Sequence, residues 1–175
     1  SNIIAWQLGH EYLNEKGAVN LSSKEMKDSF LWIKNFIHEI GLKKVLELMG
    51  TFGTGLQHGF ISGKVSMMIL DSSYPEIIEK YKPDFQYGVI PIPSYGDSKP
   101  ISSAGIWWLG IPRGVKDPKK SWDFISFLAG EKNQIDYQKR TEESLFSANK
   151  YVAYQENSVS IPYYDVFLYM LENSK

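Results

Sequence analysis

Two hydrophobic periods alternate along this chain, and this alternation restricts the fold more than any other sequence feature. From Met26 onward, apolar residues recur at steps of three and four, the period of an amphipathic helix, until Gly41 ends the pattern. Three shorter apolar runs, at 65–70, 85–92 and 106–111, have the length and composition of buried strands. Helices that alternate with buried strands predict an α/β fold.

Capping residues indicate where the predicted helices begin. Ser22, with Glu25 three residues later, has the signature of a capping box, so the first long helix is predicted to start there. Asp117 and Pro118 supply an N-cap and a first-turn proline for a later helix. Further helices are predicted at residues 42–49, 74–81, 131–140 and 162–172.

The helix that follows Asp117 carries an apolar face, which we expect to be buried. Trp122, Ile125, Leu128 and Ala129 form this face. Large apolar side chains elsewhere are also expected in the core, and they are Phe60, Met67, Met68 and Phe124.

Composition excludes several function classes. A net charge of -1 lacks the basic excess that nucleic acid or an anionic membrane would need. The chain has no cysteine, so it has neither disulfides nor thiolate chemistry, and zinc would depend on His10, His38, His58 and carboxylates. No apolar run approaches the about 20 residues of a membrane span, so we expect a soluble protein. Aromatic residues make up 14% of the chain, and aromatic side chains are well suited to contact a bound ligand.

Sequence motifs of catalysis are not found. The chain has no nucleophile elbow, no phosphate loop and no histidine pair at metal-binding spacing. Residues 53–59 imitate a dinucleotide fingerprint, but the last glycine comes one residue late and no strand precedes it. We therefore predict no catalytic residue, no metal and no cofactor.

Three segments, in order along the chain, resemble one family. Residues 60–69 resemble the Phe-x-x-Gly-Lys-Val-Ala-Met-Met-Ile signature of extracellular solute-binding proteins of carbohydrate ABC transporters, the maltose-binding-protein-like group. Residues 85–93 are similar to that family's Asp-Tyr-Gly-Val-x-Pro-x-Pro crossing strand, and residues 109–128 to its Leu-Ala-Ile-Pro-Lys-Gly run and the helix after it. Trp6 and Gly9 extend the resemblance nearly to the start of the sequence.

The resemblance implies a periplasmic-binding-protein-like fold, in which two α/β lobes joined by crossing strands close over a ligand. Residues 3–83 would then belong to the second lobe, 84–93 to a hinge strand, 94–147 to the first lobe and 148–175 to C-terminal helices of the second lobe. The matched segments cover only the C-terminal part of the family pattern, so a truncated two-lobe fold is expected. Such a chain would bind sugar weakly and expose strand edges that invite a dimer or strand exchange.

The resemblance also indicates ligand-binding residues. Sugars present hydroxyl groups and apolar C–H faces, so their sites combine aromatic plates with hydrogen-bonding groups. Trp107 matches a family position where an aromatic side chain often faces the cleft, and Trp108 should face the opposite way. The alternative is that both tryptophans lie in the core.

Other candidates surround these positions in the sequence. Ser102, Ser103 and Gly105 precede Trp107, and the glycine would let a ligand approach the backbone closely. Asp71, Ser72, Ser73 and Tyr74 lie where the family has Asn-Gly-x-Trp, with Tyr74 offset by one residue. Independently of the family, a helix that begins at Tyr74 points free N–H groups toward this turn. Trp6 and Tyr12 complete the candidate set.

The leading functional hypothesis is capture of a sugar or oligosaccharide outside the cell and its delivery to an ABC transporter permease, without covalent chemistry. Such a protein would be periplasmic, or extracellular and anchored to the membrane as a lipoprotein. One alternative is an α/β hydrolytic enzyme that uses carboxylates such as Asp71 and Asp165. Another is an interaction module, which would expose an apolar patch in place of a polar-rimmed aromatic groove.

Overall fold

The computed structural model describes residues 2–81, 83–140, 146–155 and 161–175, and secondary structure within these ranges is mainly helical. Eight α-helices occur there, and a 3-10 turn lies at Gly55–Gln57. They are α1 (Asn2–Gln7), α2 (Lys24–Ile40), α3 (Leu42–Met49), α4 (Tyr74–Tyr81), α5 (Pro118–Ala129), α6 (Glu131–Arg140), α7 (Lys150–Ala153) and α8 (Tyr164–Glu172). The predicted lobe segments also include residues 82, 141–145 and 156–160, which lie outside the described residues.

Local sequence signals predicted most helix bounds correctly. α3, α4 and α6 begin and end where the sequence indicates. α5 starts after Asp117, whose side chain accepts a hydrogen bond from the N–H of Lys120 at 3.0 Å. α8 starts two residues later than predicted, because Tyr163 has a φ of 59°, which a right-handed helix does not contain.

α2 begins one residue later than the capping box predicts. The N-cap is Ser23, not Ser22, and its hydroxyl accepts a hydrogen bond from the N–H of Met26 at 3.1 Å. His10, whose ring is buried, distinguishes the two serines, because its Nδ1 lies 2.9 Å from the Ser23 Oγ. A tertiary contact therefore fixes the first turn of α2.

The segments predicted as strands form no ladder within the described residues. The pairings found there are two isolated bridges, between Leu13 and Val19 and between Ser102 and Ser174. A strand is stabilised by hydrogen bonds to a neighbouring strand, and residues 66–70 and 105–111 make no backbone hydrogen bond to any described residue. The sheet of the predicted α/β fold is therefore not seen in this part of the chain.

The chain divides into two compact units. Unit 1 comprises Ser1–Ile69, Phe85–Ala104 and Val166–Lys175, and unit 2 comprises Leu70–Asp84 and Gly105–Asp165. In unit 1, α1 packs on α2, and α2 contacts α3. The buried apolar side chains of unit 1 are Ala5, Trp6, Met26, Ile61 and Met170.

One buried side chain of α1 joins distant parts of unit 1. The amide group of Gln7 donates from Nε2 to the carbonyl oxygen of Pro93 at 3.1 Å and accepts through Oε1 from the N–H of Tyr95 at 2.6 Å. Both groups of the amide are therefore paired inside the unit, as a buried amide requires. This pairing holds residues 93–95 against α1.

Few apolar side chains of unit 2 are buried. Pro75 and Ile78 of α4 are buried, as are Val152 and Ala153 of α7. α6 packs on both α5 and α7. Gln134 of α6 donates to the carbonyl oxygen of Leu128 and accepts from the hydroxyl of Ser147, each at 2.8 Å. Side-chain hydrogen bonds therefore supplement a limited apolar core.

Several side chains predicted in the core lie in solvent. Trp122 is 61% exposed and Met67 is 81% exposed. Phe124, Met68 and Ala129 are exposed as well, while Phe60, Ile125 and Leu128 are half-buried. The predicted burial of the α5 face is therefore wrong for Trp122 and Ala129 and holds in part for Ile125 and Leu128; among the helices described, only α6 contacts α5.

Replacing Ser23 with alanine should destabilise the chain by about 1–2 kcal/mol, because the helix loses its cap and His10 loses a buried hydrogen-bond partner. Urea unfolding measures this change. Ser22→Ala is the matched control and should change stability by less than about 0.5 kcal/mol. A larger loss for the Ser22 variant would contradict the assignment of Ser23 as the cap.

Stability should also depend on the ionisation of Glu25. The pKa of this carboxyl lies below its ordinary value of 4.5, chiefly because it accepts a hydrogen bond from its own backbone N–H, and further because of the Ser23 hydroxyl. A carboxyl whose pKa is lowered by folding contributes stability above its ordinary pKa of 4.5, and this contribution disappears as pH falls through the folded pKa.

Urea midpoints measured at a series of pH values test this linkage. We expect the midpoint of the native chain to fall as pH decreases from about 5 to below 4, and Glu25→Gln should flatten that part of the profile. Glu39→Gln, on an exposed position near the other end of α2, is the matched control. A Glu25→Gln profile as steep as that of the native chain would contradict the prediction.

Candidate ligand-binding residues

A tight turn at residues 71–74 directly precedes α4. Asp71 Oδ1 accepts hydrogen bonds from the N–H of Ser73 at 3.0 Å and from the hydroxyl of Ser73 at 2.5 Å. The N–H of Tyr74 donates to the carbonyl oxygen of Asp71 at 3.2 Å. The Asp71 side chain thus stabilises the turn that it belongs to, as aspartate commonly does before a helix. The structure brings together four of the predicted site residues in this turn.

Polar atoms of the 71–74 turn remain available for a ligand. Asp71 Oδ2 and the hydroxyl of Ser72 make no hydrogen bond within the described part of the chain. Asp71 is exposed, and Ser72 is half-buried. An ionised carboxylate oxygen accepts from a hydroxyl group, and a serine hydroxyl both donates and accepts. The turn can therefore form hydrogen bonds with a polyhydroxylated molecule.

Glu76, in the first turn of α4, was not among the predicted site residues. Its Oε2 atom is buried and has no hydrogen-bond partner within the described residues. A buried acceptor without a partner is costly, so a ligand hydroxyl that reached it would be favoured. In the sequence, Glu76 is recognisable only as an acidic residue in the first turn of a helix. Acidic residues are common there because they stabilise the helix, so this position does not indicate a binding role.

Trp107 and Trp108 lie in an irregular segment of unit 2 and are 96% and 83% exposed. Neither ring contacts another aromatic ring within the described residues. The alternative that both tryptophans are core residues is therefore wrong for this structure. An indole this exposed offers its whole face to a ligand.

The serines that precede Trp107 differ from each other. Ser102 is buried in unit 1, where its hydroxyl donates to the carbonyl oxygen of Met170 at 2.6 Å and its N–H donates to that of Asn173 at 3.0 Å. Ser103 is exposed, and its side chain has no hydrogen bond within the described residues. A Cβ added at Gly105 would meet nothing within 4 Å, so no described neighbour requires glycine there.

Trp6 lies in the core of unit 1, with its ring perpendicular to that of Tyr12 at a centroid distance of 5.8 Å. Tyr12 in turn packs its ring against His10 at 5.1 Å. The Nε2 atom of His10 is buried and has no partner among the described residues. Trp6 therefore stabilises an aromatic cluster at the start of α2.

The predicted site residues fall in both units. Unit 2 contains the 71–74 turn, Gly105 and Trp107, whereas unit 1 contains Trp6, Ser102 and Ser103. In unit 2, the turn supplies hydroxyl and carboxylate groups, and Trp107 supplies an aromatic face. These are the two kinds of group that a carbohydrate site combines.

Asp71 and Asp165, the carboxylates of the enzyme alternative, lie on different elements, before α4 and in α8. Within the described ranges, no group of three or more His, Asp or Glu side chains could hold a metal ion. Asp71 Oδ1 is occupied by its own turn, and Asp165 is an exposed residue in the first turn of α8. Among the described helices, none is long and apolar enough to cross a membrane.

Comparison with known proteins identifies a family for most of the chain. The family described as bacterial extracellular solute-binding protein matches residues 1–135, which is most of the chain. Searches of curated proteins and of solved structures found no match. The matched region contains every residue of the candidate site.

Proposed function

This chain belongs to the bacterial extracellular solute-binding proteins, which bind solutes outside the cell for ABC transporters, and we propose that its solute is a sugar or oligosaccharide. The protein would deliver this ligand to the permease subunits of the transporter. It would act in the periplasm or as a lipoprotein at the outer face of the membrane. Proteins of this family are in general not enzymes, and the proposed function needs no covalent step.

The observation that carries the proposal is the exposure of Trp107. Leaving a whole indole in water forgoes the burial of about 150–250 Å² of largely apolar surface. The C–H face of a pyranose ring would cover such a plate, and the hydroxyl groups at its edge would remain free to form hydrogen bonds. This combination suits a sugar, which presents both an apolar face and hydroxyl groups.

The 71–74 turn supplies the polar part of the proposed site. Asp71 Oδ2 and the Ser72 hydroxyl would bind ligand hydroxyls, and Tyr74 would add a second aromatic face. Glu76 Oε2 would accept from a hydroxyl that enters beside α4. Gly105 is retained as a residue of the proposed site in unit 2, and Trp6, Ser102 and Ser103 remain separate ligand-binding candidates in unit 1.

The proposed lobe organisation follows from the sequence. Residues 3–83 and 148–175 would form most of the second lobe, and residues 94–147 would belong to the first. Residues 84–93 would cross between them as a hinge strand. The support is the order of the three family-like segments along the chain.

Isothermal titration calorimetry of the chain tests the proposal with three solute classes, namely mono- and oligosaccharides, free amino acids and short peptides. Saturable heat with a sugar, and sugar recovered intact afterwards, is the expected result. Binding of amino acids or peptides but no sugar would overturn the ligand class. Hydrolysed sugar in the recovered sample would overturn passive binding and support the enzyme alternative.

One observation favours a second candidate, an interaction module. Large apolar side chains of α2 and α3 are exposed, as that alternative predicts, and they include Phe30, Leu31, Phe36, Leu42, Leu46 and Met49. A protein partner would cover this surface without any need for the 71–74 turn. In the same titrations, the absence of heat with all three solute classes up to millimolar concentrations, at which weak sugar binding would still be detected, would favour this candidate.

A further inference from the structure

Three aromatic side chains of unit 1 meet at its surface beside α2. Trp32 and Phe36, one helical turn apart on α2, stack with a centroid distance of 5.4 Å and an interplanar angle of 7°. The ring of Tyr95 is nearly perpendicular to that of Trp32, at a centroid distance of 6.3 Å and an angle of 86°. All three residues belong to unit 1, and each is more than one third exposed. They form an aromatic corner that a ligand can reach.

The backbone that carries Tyr95 is held in place by hydrogen bonds. The buried amide of Gln7 binds the carbonyl oxygen of Pro93 at 3.1 Å and the N–H of Tyr95 at 2.6 Å. The N–H of Ser98 donates to the carbonyl oxygen of Tyr95 at 3.2 Å and closes a turn there. A surface that is fixed before its ligand arrives loses less conformational entropy on binding. The Tyr95 side of the aromatic corner is therefore pre-formed.

Polar groups border the aromatic corner on both of its elements. The hydroxyl oxygen of Ser98 is buried and has no hydrogen-bond partner within the described residues, which is costly for a polar group. On α2, Asn35 and Glu39 lie within about 60° of Trp32 around the helix axis. Both are exposed, and neither side chain forms a hydrogen bond in the part of the chain that the structure describes. Hydroxyl, amide and carboxylate groups beside aromatic faces are the combination that carbohydrate sites use.

We propose that the aromatic corner is a second carbohydrate-binding surface of this chain, at which Trp32 and Tyr95 contact the C–H face of a neutral sugar ring. Charge supports a neutral ligand. α2 carries as many lysines as acidic residues, and in the segment 93–100 the charge of Asp97 is balanced by that of Lys99. A charged ligand would gain no net attraction from this balanced surface. The proposal does not rest on the function proposed above, because the two sites share no residue.

The aromatic corner differs from the exposed apolar surface of α2 and α3 that a protein partner would cover. Phe36 belongs to both, but Phe30 lies about 160° from Trp32 around α2 and therefore on the other side of the helix. The core of a protein–protein interface is depleted of charged residues, whereas Glu39 lies only about 20° from Trp32. The surroundings of Trp32 therefore suit a sugar better than the core of a protein interface.

Proton–nitrogen correlation NMR tests the proposal, because the indole N–H groups of the five tryptophans give separate signals. The chain is titrated with maltopentaose, cellopentaose and xylopentaose, each up to millimolar concentrations, at which weak binding is still detected. The Trp32 signal is identified by its absence from the spectrum of Trp32→Phe. We expect this signal to shift saturably with at least one of the three sugars. The shift should persist in Trp107→Ala, because Trp107 is not part of the aromatic corner.

Tyr95→Ala should raise the Kd that the Trp32 signal reports at least about tenfold, because one wall of the aromatic corner is lost. Tyr169→Ala is the matched control, since it makes the same change at another exposed tyrosine of unit 1, and it should leave this Kd unchanged. Circular dichroism of both variants checks that the helices remain folded. Equal effects of the two substitutions would overturn the proposal.

The same spectra separate this proposal from the function proposed for unit 2. A Trp32 signal that moves with none of the sugars, or that no longer responds in Trp107→Ala, would overturn the second surface. Shifts of the Trp107 signal alone would support the site in unit 2 and overturn the second surface. Shifts of the Trp32 signal alone would support the second surface and contradict the role of Trp107.

Discussion

Substitution of Trp107 by alanine is expected to raise the Kd for a bound sugar roughly thirty-fold, a loss of about 2 kcal/mol typical of a buried aromatic contact. The melting temperature should not change, because this side chain is almost wholly exposed in the free chain and supports no described neighbour. Calorimetric titration with the sugar that gives saturable heat measures the first quantity, and a thermal melt measures the second.

Trp122→Ala is the matched control for this experiment. The apolar face of α5 predicts a core cavity and a loss of about 3–5 kcal/mol at this position. The structure instead leaves Trp122 largely in solvent, so we expect its substitution to change stability by less than about 1 kcal/mol and sugar affinity not at all. If Trp122→Ala loses affinity while Trp107→Ala does not, residues 102–107 do not belong to the site.

Ile78→Ala should cause the largest loss of stability among these substitutions, about 2–5 kcal/mol. Ile78 is buried in unit 2, and with Pro75 it anchors the eight residues of α4. In a chain of this length such a loss lowers the melting temperature by about 5–15 °C. Because α4 directly follows the 71–74 turn, sugar binding near the new melting temperature should also weaken.

Thermal and urea unfolding measure the effect of Ile78→Ala. The exposed Ile90 allows the same chemical change without loss of core packing, so Ile90→Ala should stay within about 0.5 kcal/mol of the native chain. Equal losses for the two variants would mean that Ile78 is not a core residue of unit 2. That outcome would also remove the support for α4 as the element that positions the turn.

Helices were predictable because their signals are local. Asp117 with Pro118, and the polar residues before Tyr74, lie within a few positions of the helices that they start. The capping box with Glu25 favours Ser22, yet the N-cap is Ser23, whose hydroxyl lies 2.9 Å from Nδ1 of the buried His10. A local rule therefore gave the helix, but a tertiary contact gave its first residue.

Strands and burial were less predictable, because both depend on distant partners. Residues 65–70 and 106–111 have strand-like composition, yet a strand needs a neighbour that composition cannot supply. The apolar face of α5 likewise indicates burial only if another element packs against it, and α6 covers only part of it. For these segments, the sequence predicted a preference for strand or for burial. Whether a strand formed or a side chain was buried depended on which other parts of the chain packed against it.

The local geometry of the 71–74 turn was predictable, whereas the role of its residues in binding stays a prediction. The 71–74 turn could be located from the polar residues before Pro75, and its internal hydrogen bonds agree with that prediction. Glu76 could not be singled out, because only the surrounding atoms reveal that its Oε2 is buried without a partner. The family resemblance that singled out Trp107 agrees with the family match over residues 1–135.

The hydrogen bonds of Gln7 have a consequence for the order of folding. They join α1 to a segment that lies 86 and 88 residues further along the chain, so the intervening loop must close before they can form. Contacts of such long sequence separation slow folding. During synthesis, α1 would leave the ribosome long before Pro93 and Tyr95, and unit 1 could complete its packing only after both had emerged.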